Sequence, residues 1–257
     1  MPPPSSPDAG GSDQQDSGQS LTTAHEPLLK IHVGCGLSRL DGWVNADYYA
    51  GSTVDVVFDA QQPWPFPTDS ALAVYGSHML EHLPQPLAFF REAWRVLKHQ
   101  HQMLLRVPYG GHRAAWWDLE HIRPWYSENF CCLQPGYAQA IGNPQHGAWA
   151  YPYGIHVAQL RVTGRFGGLM QWYWGRKWFG KWHEFFPSAI EELFVYLSPL
   201  KTRESVEKYA AANRANTVPQ QFVIYKHHLE RRPLRPGEPA ALVPLADTQT
   251  IVGLGGA

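Results

Sequence analysis

The chain has 257 residues, of which 44% are hydrophobic and 17% charged, and it has no apolar run near the roughly 20 residues of a membrane-spanning helix. Its 21 basic and 22 acidic residues leave a formal charge of −1, so no bulk attraction to nucleic acid is predicted. Three cysteines and an N-terminus without the pattern of a secretory signal predict a cytoplasmic protein with no membrane span.

Both ends of the chain differ in composition from its middle. Residues 1–24 are rich in Pro, Gly, Ser, Gln and Asp, and they are predicted to be a disordered N-terminal arm. Residues 231–257 are rich in Pro, Gly and Ala, and they are predicted to form an irregular tail. One domain is therefore expected over residues 25–230, with a Trp-rich substrate or cap segment at about 134–190.

Short apolar runs alternate with turn residues in the first half of the domain, which is typical of an α/β sheet. The runs cover residues 28–33, 43–46, 54–58, 71–75 and 103–107. Each run stops at a glycine, a proline or a polar residue. Because the carboxyl ends of parallel strands share one edge of a sheet, we expect a ligand site at that edge.

The first predicted strand runs into the turn Gly34-Cys35-Gly36, where a missing Cβ lets the backbone approach a ligand closely. Asp47 and Asp59 end the next two strands, where their carboxylates suit ribose hydroxyls and an adenine amino group. A tight turn followed by two solvated aspartates is the alternative interpretation. A nicotinamide dinucleotide site is disfavoured, because Arg39 replaces its third glycine and ten residues before Asp47 leave no room for a full crossover helix.

A helix is predicted over residues 86–97, because apolar residues recur at spacings of three and four. Its predicted buried face consists of Leu87, Phe90, Trp94 and Leu97. Its predicted outer face consists of Arg91, Glu92 and Arg95.

Residues 28–130 resemble the class I S-adenosylmethionine-dependent methyltransferases, particularly a small group with an L-x-x-G-C-G and a G-W-x-N-x-D motif. The matching segments are 30–36, 42–47, 55–59, 65–67, 77–83 and 90–98. The resemblance implies a Rossmann-like three-layer sandwich, with a mostly parallel sheet, a final antiparallel strand and a reduced first crossover helix. It also implies the cofactor S-adenosyl-L-methionine.

The resemblance further implies roles for individual residues at the cofactor. Gly34 and Gly36 would border its methionine part, Asp47 would hold the ribose, and Asp59 with Ala60 would reach the adenine. His78 would lie beside the sulfonium. The remaining members of the implied cofactor-binding set are Cys35, Tyr48 and Ser77.

Imidazole and carboxylate side chains follow the fourth predicted strand, at His78, Glu81 and His82, and a further histidine is His121. Such groups serve as general bases and as ligands of divalent metals. The spacing is similar to the E-x-x-E-H plus His arrangement of metal-dependent small-RNA 2′-O-methyltransferases and to E-x-x-E-H in ubiquinone-pathway O-methyltransferases, with His78 in place of the first Glu. Catalytic, metal-binding and purely structural roles stay open, and a metal is not the favoured interpretation.

The segment 165–186 carries tryptophans four residues apart, at Trp174, Trp178 and Trp182, with basic residues between them. On a helix these three side chains would share one face. The stripe is expected to pack against the protein's own sheet or against a second subunit in a homodimer. A substrate lid and contact with a membrane surface are the alternatives.

The elements after residue 150 leave one question open. Residues 155–162 alternate as a strand, with one slip of the period, and residues 203–214 are predicted to be helical. Both 193–197 and 221–225 are candidates for the last, antiparallel strand.

Together these features predict a methyltransferase that acts on an oxygen or nitrogen atom of an acceptor bound under residues 112–186. A small molecule or a glycan is the expected acceptor, and RNA is the alternative. A catalytically silent cofactor-binding module that holds a partner with its Trp-rich segment is the second hypothesis.

Overall fold

A computed structural model describes residues 28–143, 150–163, 190–215, 217–218 and 220–225 of the chain. The predicted N-terminal arm, the tryptophan stripe of residues 165–186 and the C-terminal tail lie outside the described residues. No helix within the described residues is long and apolar enough to span a membrane.

The described chain forms one eight-stranded sheet with the order β3-β2-β1-β4-β5-β7-β6-β8. Its strands are β1 Leu29–Val33, β2 Val44–Asp47, β3 Val56–Val57, β4 Ala71–Ser77, β5 Leu97–Pro108, β6 Tyr153–Thr163, β7 Ile190–Pro199 and β8 Gln220–Tyr225. β7 is antiparallel to both of its neighbours, and every other pairing is parallel. The predicted mostly parallel α/β sheet is confirmed.

Both candidates for the last strand form strands, but only one is antiparallel. Residues 193–197 lie in β7, which is inserted between β5 and β6. Residues 221–225 lie in β8, which pairs parallel with β6. The slip in the period of residues 155–162 corresponds to an irregularity in the pairing of β6 with β7, between Ile155 and Val157.

Among the described residues, three α-helices accompany the sheet: α1 Pro86–Val96, α2 Tyr137–Ala140 and α3 Arg203–Ala212. α1 buries Phe89, Phe90 and Val96 in the main hydrophobic core. α3 contributes the Tyr209 ring, which lies 3.1 Å from a Cβ built on Gly154. Side chains alternate along a strand, so this contact is on the face opposite the core residue Tyr153.

The buried face predicted for α1 is partly wrong. Leu87 is 47% exposed, whereas Glu92, predicted to face outward, is buried. The Glu92 carboxylate is stabilised there by hydrogen bonds from the Trp64 amide and the Arg95 guanidinium, each 2.9 Å long. Because these hydrogen bonds satisfy the carboxylate, Glu92 avoids the free-energy cost of burying an unpartnered charge. The helical periodicity of the sequence does not reveal such partners.

The first crossover, between β1 and β2, contains turns and no helix, where a reduced helix was predicted. Asn45, buried in β2, holds this loop in place. Its Oδ1 accepts from the Leu40 amide at 2.8 Å, and its Nδ2 donates to the carbonyls of Leu40 and Trp43 at 3.0 Å. Leu40 and Trp43 thereby pack on the second face of the sheet, against Tyr75.

Asn45→Ala is expected to lower the free energy of unfolding by about 2–3 kcal/mol, because it leaves buried backbone groups of the loop without partners. Denaturant titration would measure the loss. Asp41→Ala, an exposed change in the same loop, is the matched control and should stay within about 0.5 kcal/mol of wild type. Equal stability of the two variants would contradict this role of Asn45.

Candidate active site

The glycine bend after β1 combines a packed position with an open one. Gly34 and Gly36 have φ angles of +67° and +52°, in the left-handed region that favours glycine. A Cβ built on Gly34 would lie 2.6 Å from Met79 Cβ, so packing alone demands glycine there. A Cβ on Gly36 would meet no atom within 4 Å, so the space beside Gly36 is free of described residues.

Asp47, the last residue of β2, is hydrogen-bonded to this bend. Its Oδ2 accepts from the Gly36 amide at 2.8 Å, and its Oδ1 accepts from the Tyr49 amide at 3.0 Å. Two backbone donors thus fix the orientation of the carboxylate. The structure therefore brings together the glycine and the first of the two predicted acidic residues.

Asp59 follows β3 at the same edge of the sheet. The Phe58 amide donates to the Asp47 carbonyl at 3.0 Å, which ties the two strand ends together. Asp59 Oδ1 accepts from the Gln61 amide at 2.9 Å, and the neighbouring Ala60 carbonyl accepts from Trp64 Nε1 at 3.0 Å.

Two other predicted cofactor residues have contrasting environments. Cys35 is buried, and this burial together with the Asp47 charge raises the pKa of its thiol to about 11. Tyr48 is exposed and packs edge-on against Tyr49, with ring centroids 4.9 Å apart.

Ser77 ends β4 at the same sheet edge, and His78 follows it with a left-handed φ of +51°. His78 Nε2 lies 3.0 Å from Glu192 Oε1, and Nδ1 lies 3.2 Å from Glu81 Oε1. Arg106 Nε donates to the same oxygen of Glu192 at 3.0 Å. The His78 ring is thus held between two carboxylates, and the Glu192 carboxylate bridges two basic side chains.

The charges in this group shift each other's ionisation. Burial alone would lower the pKa of His78, but the contacts with Glu192 and Glu81 outweigh it and raise that pKa. Burial alone would raise the pKa of Glu192, but His78 and Arg106 lower it to about 2. Because both ring nitrogens face carboxylates and the ring favours its protonated form, His78 is a weak candidate for a general base.

The other predicted catalytic residues form a second group beside Glu81. Ligand atoms of Glu81, His82 and His121 lie within 4.8 Å of one another. The rings of His82 and His121 are 4.8 Å apart at an interplanar angle of 75°. The predicted residues His78, Glu81, His82 and His121 therefore share one region, with Glu81 at its centre.

Two charged residues of this region, Arg106 and Glu192, were absent from the sequence prediction. Arg106 precedes the end of β5, and Glu192 lies near the start of β7. An antiparallel strand begins at the edge where its parallel neighbours end. The acidic residues just before the apolar run 193–197 could therefore have indicated a carboxylate at this edge of the sheet, but only if that run were known to be an antiparallel strand.

Residues 31–105 match a family model described as a methyltransferase domain. This match agrees with the resemblance of residues 28–130 to the class I S-adenosylmethionine-dependent methyltransferases. The cofactor of this class is S-adenosyl-L-methionine. No curated protein matches the chain.

Solved structures with a similar fold include YcgJ from Bacillus subtilis, at 12% identity over 68% of this chain and 94% of that chain, with a TM-score of 0.41. A methyltransferase from Archaeoglobus fulgidus has 12% identity, coverages of 66% and 86%, and a TM-score of 0.43. Phosphoethanolamine N-methyltransferase 2 of Haemonchus contortus has 11% identity, coverages of 70% and 50%, and a TM-score of 0.36. At these scores the similarities carry no argument about function.

Proposed function

We propose that the protein transfers a methyl group from S-adenosylmethionine to an oxygen or nitrogen atom of an acceptor, with a small molecule or a glycan as the expected class and RNA as the alternative. The observation that carries this proposal is the hydrogen bond between the Gly36 amide and the Asp47 carboxylate beside open space. A ribose needs an oriented acceptor for its two hydroxyls, and a methionine chain needs a backbone without a side chain in its way.

The residues present fit this cofactor. Gly34 and Gly36 would border its methionine part, Asp47 would accept from the ribose hydroxyls, and Asp59 with Ala60 would contact the adenine. S-adenosylmethionine, when bound, supplies an electrophilic methyl carbon on a positively charged sulfur. The protein then has mainly to align the acceptor with that carbon, and a side chain that removes a proton is an addition and not a necessity.

Within the charged region, the histidines divide by role. Both ring nitrogens of His78 face carboxylates, so we assign it to orienting an acceptor and not to removing a proton. His121 Nδ1 has no hydrogen-bond partner among the described residues, and the His82 ring lies 4.8 Å from the His121 ring, so we assign this pair to direct contact with the acceptor.

Calorimetry with S-adenosylmethionine and with NAD tests the cofactor part of the proposal. Binding of the first and no binding of the second is the expected result, because no helix N-terminus follows the glycine bend to receive a pyrophosphate. Transfer of a labelled methyl group to metabolite, glycan and RNA pools then tests the reaction. Cofactor binding without transfer to any pool would favour the catalytically silent module.

The two glycines provide a matched pair for the same assay. Gly34→Ala is expected to destabilise the fold by more than about 2 kcal/mol, because it adds a clash with Met79 to an unfavourable φ. Gly36→Ala should cost only about 1 kcal/mol, but its methyl group would enter the open space and weaken cofactor binding. Unfolding curves and calorimetry measure the two effects, and unchanged cofactor affinity in Gly36→Ala would contradict the assignment.

A further inference from the structure

We propose that Trp116 and Trp117 form a stacking platform for a sugar ring of the methyl acceptor. This inference rests on the proposed function and deepens it, because it assigns the acceptor of that site to the glycans. The two tryptophans are 62% and 65% exposed, although residues of this size are on average largely buried. Leu119 and Ile122 of the same segment are exposed as well. Clustered apolar side chains at a surface mark a binding site, whereas isolated ones need no explanation.

The loop that carries the two tryptophans, residues 110–123, is tied to the charged region of the site at both ends. At its start, the Tyr109 amide donates to the carbonyl of Glu191, near the beginning of β7, at 3.0 Å. At its end, the Ile122 amide donates to the Glu81 carbonyl at 2.9 Å. The loop therefore runs between two segments of the region to which we assign the acceptor.

Trp116 is exposed but fixed at one edge of its ring. Its Nε1 donates to the Gly110 carbonyl at 2.8 Å, and its backbone amide donates to the Arg113 carbonyl at 3.0 Å. Gly110 is fixed in turn, because its amide donates to the Trp125 carbonyl at 2.7 Å and a Cβ built on it would lie 2.5 Å from the Tyr126 ring. An aromatic ring ordered in advance loses little conformational entropy when a ligand binds.

Trp117 has a cation on one face of its ring. The Arg113 guanidinium carbon lies 5.1 Å from the ring centroid, in a cation–π contact. The Trp117 amide donates at 3.1 Å to the same Arg113 carbonyl that accepts from the Trp116 amide. Arg113 thus positions both tryptophans, and it leaves the second face of Trp117 to a ligand.

The polar groups of the loop suit a sugar. The exposed residues Asp118 and Glu120 follow the tryptophans, and Asp118 Oδ1 accepts from the Glu120 amide at 2.9 Å, which orients the Asp118 carboxylate. A pyranose ring has a face of C–H groups and a rim of hydroxyls. The C–H groups pack on the electron-rich face of an indole, and the hydroxyls donate to carboxylates. The loop offers both kinds of partner.

The charge of the loop argues against RNA. Residues 110–123 carry two arginines and two acidic residues, so they have no excess of positive charge. Arg123 is already bonded to the Pro84 carbonyl at 2.8 Å, and Arg113 covers Trp117. Platforms that stack nucleotides combine aromatic rings with a basic groove for the phosphates. A neutral glycan therefore fits these residues better than a polyanion does.

Saturation-transfer difference NMR tests the platform, with titrations of the methyl glycosides of glucose, galactose, mannose and rhamnose in the absence of S-adenosylmethionine. We expect the ring C–H protons of at least one glycoside to receive saturation from the wild-type protein. Trp116→Ala and Trp117→Ala should each weaken its binding about 10-fold. Trp116→Phe keeps a ring but loses the bond to Gly110, and it should weaken binding about 3-fold.

Trp94→Phe is the matched control. It also removes an indole N–H that donates to a backbone carbonyl, in this case that of Pro152 at 3.1 Å, but Trp94 lies on α1. Its glycoside affinity should equal that of wild type. Unchanged affinity in both alanine variants would overturn the proposal, as would binding of uridine or phenol and of no glycoside.

A second measurement applies if an alanine variant does not fold. The indole N–H resonances of Trp116 and Trp117 in the wild-type protein are assigned with the Trp116→Phe and Trp117→Phe variants. They should shift when the glycoside is added, and unchanged resonances would overturn the platform. Labelled methyl transfer to the same glycosides then tests the proposed function. Glycoside binding without transfer would support the platform and contradict the proposed reaction, so the two failures are distinguishable.

Discussion

Asp47→Ala is expected to weaken S-adenosylmethionine binding on the order of 100-fold. A carboxylate accepts hydrogen bonds from hydroxyls more strongly than a neutral group does, at about 1.5–3 kcal/mol for each such bond. Asp47 is held for this task by the Gly36 and Tyr49 amides, so no ordering cost is paid when the ribose arrives. Calorimetry with S-adenosylmethionine measures the loss.

Two further variants separate the lost ribose contact from a disturbed fold. Asp47→Asn keeps one oxygen acceptor without the charge, and it should fall between wild type and Asp47→Ala in cofactor affinity. Asp41→Ala removes an exposed carboxylate from the neighbouring loop and should bind as wild type does. Wild-type affinity in Asp47→Ala would show that the cofactor, if it binds, does so elsewhere.

Glu192→Gln is expected to destabilise the protein by about 3 kcal/mol, because it leaves Arg106 and His78 without their shared, largely buried counter-charge. The Glu192 side chain is only 13% exposed, so solvent does little to replace that charge. The control is Glu207→Gln, which breaks the exposed pair with Arg203 on α3 and should cost no more than about 0.5 kcal/mol.

The effect should also depend on pH. The pKa of Glu192 is lowered from 4.5 to about 2, so its stabilisation is complete above pH 4.5 and is lost as the pH falls toward 2. The pKa of His78 is raised from 6.5, so its stabilisation is complete below pH 6.5 and is lost as the pH rises through its folded value. The stability gap between wild type and Glu192→Gln should therefore be largest between pH 4.5 and 6.5. Denaturant titrations across pH 2–8 measure this difference in the free energy of unfolding. A difference that does not change with pH would contradict the stabilising role of these ion pairs.

The parallel half of the sheet was predictable because its strands are short apolar runs that end at turn residues, and local sequence determines both features. Strand ends were less predictable. β5 begins at Leu97 and not at 103, because it continues through the polar residues 99–102 with an irregular register against β4. β3 is only Val56–Val57, since just before it the Asn45 amide donates to the Asp55 carboxylate, at 2.9 Å, in place of a backbone carbonyl.

For the candidate site, the sequence predicted several of the residues that assemble, but neither Arg106 and Glu192 nor the pairwise contacts. Gly36 and Asp47 could be paired in advance because consecutive parallel strands end at one edge. The partnership of His78 with Glu192 could not, because it depends on β7 being inserted next to β5, and no local pattern encodes that insertion. The burial of Glu92 was likewise not predictable, because it depends on a long-range contact: the amide that donates to it belongs to Trp64, far away in the chain.

The late insertion of β7 has a consequence for the newly made chain. Glu192 follows His78 by 114 residues and Arg106 by 86. A ribosome that has released the first five strands has thus supplied α1, Arg106, His78 and its neighbour Glu81, but not Glu192, the carboxylate that Arg106 and His78 share. We expect the nascent N-terminal half to collapse around α1 before Arg106, at the edge of its sheet, has a counter-charge. Folding should be completed only when β7 emerges and pairs with β5.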